Sequence, residues 1–209
     1  MDDNINSFFN LGERKIKIGD YNYSDGTLSH EYYETKDCIG IVFSIIGTYE
    51  YPNGSVVALS DAKNHNESNL HLWRNSIDKV DDSLFDEKND KIREDHDDYK
   101  KDFGGFFYSQ NITEEYEAIN AAINFPVNLS KDKTSGWYLP SSGQMKMIAQ
   151  HFVHNDDYEK QKMILNLADV YMVSQPRERK YPLCIDLKDR KFMFENADYK
   201  SLVRPVFSI

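Results

Sequence analysis

The stretch Gly136-Trp137-Tyr138-Leu139-Pro140-Ser141-Ser142 constrains this chain most. It reads as an aromatic strand that stops at a proline and opens a helix. Ser141 and Gln144 stand at capping-box spacing, where each side chain answers a backbone N–H that the first helical turn leaves unpaired. Met145, Ile148, Ala149 and Phe152 follow at i, i+3, i+4 and i+7, the stripe of a helix lying on a core. The chain closes on Val203-Arg204-Pro205-Val206-Phe207, an apolar strand carrying one arginine. A cation among apolar residues calls for an ion pair or backbone carbonyls, because an unpaired buried charge is costly. The two stretches read as distant parts of one compact domain.

The elements between them give the fold class. Lys15-Ile16-Lys17-Ile18 alternates like a half-buried strand. Tyr21-Asn22-Tyr23 precedes the turn Ser24-Asp25-Gly26-Thr27. Ile39 to Ile46 is a nearly continuous apolar run, the length of a strand buried on both faces. After the turn Tyr51-Pro52-Asn53-Gly54, Ser55-Val56-Val57-Ala58-Leu59 reads as its hairpin partner. Thr113 can cap a helix with Glu114, Glu115 and Glu117 in its first turn and Tyr116, Ile119 and Ile123 on one face. A further helical stretch spans 157–168, with Ile164, Leu165 and Ala168 inward. Strands return at 170–174, 181–187, 192–194 and 202–209. Strands, then two to three helices, then strands predict an α+β domain with an antiparallel sheet, not a βαβ alternation. Residues 1–209 read as one domain, with a charged insertion at about 75–102 too poor in apolar residues to fold separately.

Composition excludes some function classes. The net charge of −10 repels a phosphate backbone, so general nucleic-acid binding is not expected. No apolar run reaches the length that spans a bilayer. The opening Met1-Asp2-Asp3-Asn4-Ile5-Asn6-Ser7-Phe8-Phe9 is acidic and does not read as a secretory signal. Cys38 and Cys184 both read as small core residues, although a disulfide between them stays open at this level.

Gly19-Asp20-Tyr21, Ser24-Asp25-Gly26-Thr27, Cys38-Ile39-Gly40-Ile41-Val42-Phe43, Val56-Val57-Ala58-Leu59, Gly136-Trp137-Tyr138-Leu139-Pro140-Ser141 and Val203-Arg204-Pro205-Val206 occur in that order. In this the chain resembles a bacterial domain family of unknown function found in surface proteins and adhesins. The family is C-type-lectin-like in fold and distantly similar to formylglycine-generating enzymes. The resemblance covers about 16–209 and implies a C-type-lectin-like scaffold at a cell surface, recognising a glycan or protein. The residues themselves lead us to expect no catalysis, cofactor or metal. The chain departs from the family at Tyr171-Met172-Val173-Ser174-Gln175, where relatives carry a tryptophan- and serine-rich strand, and in the charged loop Pro176-Arg177-Glu178-Arg179-Lys180.

Calcium-dependent sugar binding in this fold needs clustered oxygen ligands. The nearest match, Gln175-Pro176-Arg177, puts a cation in the third position. The carboxylates between Asp86 and Asp98 are interrupted by Lys88, Lys91 and Arg93 and lack EF-hand spacing. Formylglycine-type oxidation needs paired cysteines, and these two are isolated. His151 and His154 lack further ligands at telling spacing and read as surface residues. Trp137 reads as core. The expected ligand contacts are Trp73, whose ring could stack on a sugar or fill a core, and Arg177, Arg179, Lys180 and Tyr181, the basic cluster of an acidic chain. The competing reading of that cluster is a solvated loop, and the competing function is a structural or assembly module without a small-molecule site.

Overall fold

The computed structural model describes residues 15–64, 68–73, 103–110, 116–129, 134–174, 182–195 and 198–209. Its apolar strands are covered on both faces, which is why they read as continuous runs rather than alternating ones. One sheet holds β1 (Tyr21–Tyr23), β2 (Leu28–Ser29), β3 (Cys38–Ser44), β4 (Ser55–Ala58) and β10 (Val206–Ser208) in the order β10-β4-β3-β1-β2. The other holds β5 (Leu70–Leu72), β6 (Val170–Val173), β7 (Leu183–Asp186), β8 (Lys191–Phe194) and β9 (Lys200–Leu202) in the order β5-β9-β6-β7-β8. All pairs are antiparallel except β6 with β9. The helices are α1 (Gly105–Gln110), α2 (Glu117–Ile123), α3 (Ser142–Phe152) and α4 (Glu159–Leu165). The architecture is α+β, and the described residues form two sheets where one was expected and four α-helices where two to three were.

Alternate strand residues feed two separate cores, as the two-residue period of a strand requires. Ile41, Phe43, Val57, Tyr171, Val173, Leu183, Ile185 and Val206 join Met145, Ile148, Ala149 and Phe152 of α3 and Leu165 of α4. Val42, Val56, Ala58, Met172, Cys184 and Phe207 join Ala118, Ile119 and Ala122 of α2, with Trp73 and Trp137. Helices therefore cover opposite faces of the strands. Each fully buried aliphatic or aromatic side chain contributes about 1.5–3 kcal/mol by leaving water.

The two opening motifs stitch these sheets together. Tyr138 and Val206 exchange both backbone hydrogen bonds, at 2.8 and 3.0 Å. Ser174, just after β6, donates its N–H to the Pro140 carbonyl at 2.8 Å. The expected aromatic strand is thus a single bridge on each side, to β10 in one sheet and to the end of β6 in the other. The closing strand is likewise two strands. β9 pairs in the second sheet and β10 in the first, and Val203-Arg204-Pro205 carries the chain across. Proline suits that crossing because it cannot donate to a ladder. The first and last strands share a sheet but do not pair, being separated by β3 and β4.

Other differences have local causes. Lys15–Ile18 forms no strand: Asp20 folds back, donating its N–H to the Lys17 carbonyl at 3.1 Å and accepting the Lys17 N–H on its carboxylate at 3.0 Å. Ile45 and Ile46 are exposed, because β3 ends at Ser44. Ile123 is exposed at the last position of α2, one residue outside the buried arc of Ala118, Ile119 and Ala122. α4 ends at Leu165 with Asn166 in the left-handed region (φ 42°), so half-buried Ala168 lies beyond the helix. β5 and α1 were not anticipated. The N-terminal segment, the insertion at 75–102, Thr113–Glu115 and 175–181 lie outside the described residues.

Candidate functional site

Among the described residues lies a groove of about 480 Å³, lined from four chain segments. Ser24 follows β1, and Asp37, Cys38 and Ile39 enter β3. Leu59 and Ser60 leave β4, and Phe125 to Asn128 follow α2. Ser24 donates its N–H to the Asp37 carbonyl at 2.9 Å, fixing the first wall. Gly40 pairs with Ala58, which places the ends of β3 and β4 side by side. The third wall is held by Trp137, whose indole N–H donates to the Val127 carbonyl at 2.8 Å. The Trp137 ring also packs edge-on against Phe125 (centroids 5.0 Å apart) and Phe207 (4.7 Å). The residue that reads as core in the sequence is core, and it also positions the site.

Exposure divides the lining into a floor and a rim. Ile39 and Phe125 are buried, and Cys38, Leu59 and Val127 are half-buried. Ser24, Asp37, Ser60, Pro126 and Asn128 are exposed. Ligand sites commonly combine an apolar floor with a few polar groups that orient the occupant. Asp37 is the one carboxylate on the lining. The neighbouring Asp25 is engaged by Lys36 at 3.1 Å, whereas among the described residues the Asp37 carboxylate makes no ion pair or hydrogen bond.

Both cysteines are free. Cys184 is fully buried, as expected of a small core residue, but Cys38 is half-buried on the groove wall because it starts β3 rather than lying within it. Burial pushes the Cys38 thiol up to about 11, opposed by a hydrogen bond with the Gly40 backbone and helped by the Asp37 charge. A thiol held protonated at neutral pH is a poor nucleophile.

Trp73 lies 2% exposed in the second core, edge-on to Tyr116 with centroids 5.3 Å apart. A ring so covered offers no face for a sugar, so the stacking role expected of it does not fit its placement. Arg177, Arg179, Lys180 and Tyr181 fall outside the described residues. Arg204 makes both contacts expected of it. Its Nε lies 2.7 Å from Asp61 Oδ1, and its terminal nitrogens donate to the Ala58 carbonyl and the Tyr171 hydroxyl, each at 3.2 Å. His151 is half-buried at the end of α3, packed edge-on against Tyr158, and burial lowers its pKa. His154 lies beyond that helix and bonds the Leu187 carbonyl at 2.7 Å, so the two histidines share no helix face. Among the described residues no group of three or more His, Cys, Asp or Glu could hold a metal ion, and no helix is long and apolar enough to cross a membrane.

The groove was not legible in the sequence. Its lining is short segments at element ends, and the motifs that contain Ser24, Cys38, Ile39 and Leu59 marked strands and a turn rather than a shared site. Comparison with protein-family models, curated proteins and solved structures finds no match for the chain.

Proposed function

We propose that this domain is a non-catalytic recognition module, binding a glycan or protein ligand on a C-type-lectin-like scaffold at a bacterial cell surface. The scaffold and the location rest on the family resemblance. The observation that carries the binding reading is the groove, whose volume of about 480 Å³ falls in the range of small-ligand sites. Its walls are held by sheet pairing and by the Trp137–Val127 bond, so it is formed before any ligand arrives and binding pays little ordering entropy. The protonated Cys38 thiol suits binding better than covalent chemistry. By charge pattern, Arg177, Arg179, Lys180 and Tyr181 are proposed as additional contacts.

The test is a panel of glycans and peptides screened against wild type, Ser60→Trp and Arg177→Ala. Ser60 is exposed on the rim, so a tryptophan there fills the mouth without entering the core. Binding lost in Ser60→Trp supports the groove, and binding lost only in Arg177→Ala moves the site to the basic loop. Turnover of any substrate by the wild type overturns the non-catalytic reading.

One observation favours an assembly module instead. Ile45, Ile46, Tyr49, Phe103 and Phe107 are all exposed, and the β3–β4 loop meets α1 through the Tyr51–Phe106 ring pair (6.0 Å). Apolar exposure of this kind marks interaction surfaces. A silent panel together with concentration-dependent oligomers in light scattering would favour that reading.

A further inference from the structure

Resting on the recognition reading, we propose that the groove selects a protein ligand presenting a lysine side chain. Asp37 is the single carboxylate on the lining, it is exposed at the rim, and among the described residues no cation pairs with it. The lining's other ionisable group is the Cys38 thiol, held protonated. Its described lining therefore presents one negative charge above an apolar floor. That combination matches an ammonium on a flexible methylene stem: the head reaches the carboxylate while the stem lies along Leu59, Ile39 and Val127. Ser24, Ser60 and Asn128 stand on the same rim and can accept the remaining ammonium protons. The chain's net charge of −10 adds a long-range attraction for a basic partner.

A sugar ring fits this lining less well. The lining's one aromatic side chain, Phe125, is 8% exposed and packed edge-on against Trp137. Saccharide recognition gains most from a broad exposed aromatic face, and none is offered here.

Calorimetric titration of a short lysine-containing peptide, its N-ε-acetyl-lysine form and N-acetylglucosamine tests this, against wild type, Asp37→Asn, Asp37→Lys and Ser60→Trp. Thermal melts confirm that each variant is folded. The lysine peptide is expected to bind wild type and to weaken about fivefold on acetylation or in Asp37→Asn, the scale of an exposed ion pair. Asp37→Lys should weaken it further, and added salt should weaken the wild-type complex. No binding of the lysine peptide, or equal binding of the acetylated form, overturns the lysine inference. A glycan that binds wild type and Asp37→Asn alike but not Ser60→Trp overturns it while leaving the recognition groove standing. If no ligand from the wider glycan and peptide panel is lost in Ser60→Trp, the groove reading fails as well.

Discussion

Gln144 donates from Nε2 to the Tyr138 hydroxyl at 2.8 Å, inside the protein, where neither side chain meets water. The same hydroxyl lies 3.0 Å from Ser208 Oγ, and the Gln144 carbonyl oxygen accepts the Ser141 N–H at 3.0 Å. One buried chain of hydrogen bonds thus joins the start of α3, the 136–142 motif and β10. Tyr138→Phe would strip the acceptor from Gln144 while keeping the ring. Urea unfolding should show a loss of about 1–3 kcal/mol, the cost of leaving a buried polar group unpaired.

Arg204 and Asp61 hold the crossing between the sheets. Arg204→Met should destabilise by about 3–5 kcal/mol, because it leaves the mostly buried Asp61 carboxylate without its cation. Adding Asp61→Asn should recover part of that loss, since the stranded charge is then gone. Additive losses in the double-mutant cycle would show that the pair is not coupled.

Gly105 is where α1 touches the 136–142 junction. A Cβ there would stand 2.5 Å from Gln144 Oε1, 2.7 Å from the Ser141 nitrogen and 2.8 Å from the Leu139 carbonyl oxygen. Two of these neighbours are backbone and cannot yield without disturbing the α3 cap. Gly105→Ala should therefore lower the melting temperature and raise amide exchange at Ser141–Gln144. Unchanged exchange would mean that α1 does not pack there.

The legible parts of the fold were those whose signal is local. A capping box and an i, i+3, i+4, i+7 stripe belong to a single element, so α3 could be placed from residues 141–152 alone. The run 39–46 likewise announced a strand covered on both faces, although the strand stops at Ser44 and leaves Ile45 and Ile46 exposed. The split of 200–208 between two sheets could not be seen that way, because the same apolar pattern suits one long strand, and only the pairing partners of Leu202 and Val206 decide. Lys15–Ile18 alternates correctly, but the Asp20 carboxylate captures the Lys17 N–H and makes a turn, a local side-chain contact overriding periodicity. Trp73 could have filled either role, and burial beside Tyr116 resolves it. The groove depends on four segments brought together only by the fold, so no single motif could signal it.

The two thiols make a prediction about pH. Burial raises Cys38 to about 11 and Cys184 to about 12, both above the ordinary value of 9.0. In the native protein a maleimide should modify Cys38 slowly near pH 7 and faster as pH rises toward about 11, while fully buried Cys184 stays unmodified. For stability, the folded chain keeps a Cys184 proton that the unfolded chain releases from about pH 9 upward. The contribution is full below about 9 and is lost as pH rises to about 12. Urea midpoints measured across that range should fall, with a shallower decline in Cys184→Ala. Rapid labelling of Cys184 in the folded state would contradict the burial on which both expectations rest.

The most direct test of the recognition reading is chemical-shift mapping of the ligand that binds most tightly. The account predicts perturbed amides at Ser24, Asp37–Ile39, Leu59–Ser60 and Phe125–Asn128, excepting Pro126, which has no amide proton, and little change around Trp73. Shifts confined to the exposed loop at Ile45–Tyr49 and to α1, with the groove silent, would contradict it and identify that apolar surface as the working face instead.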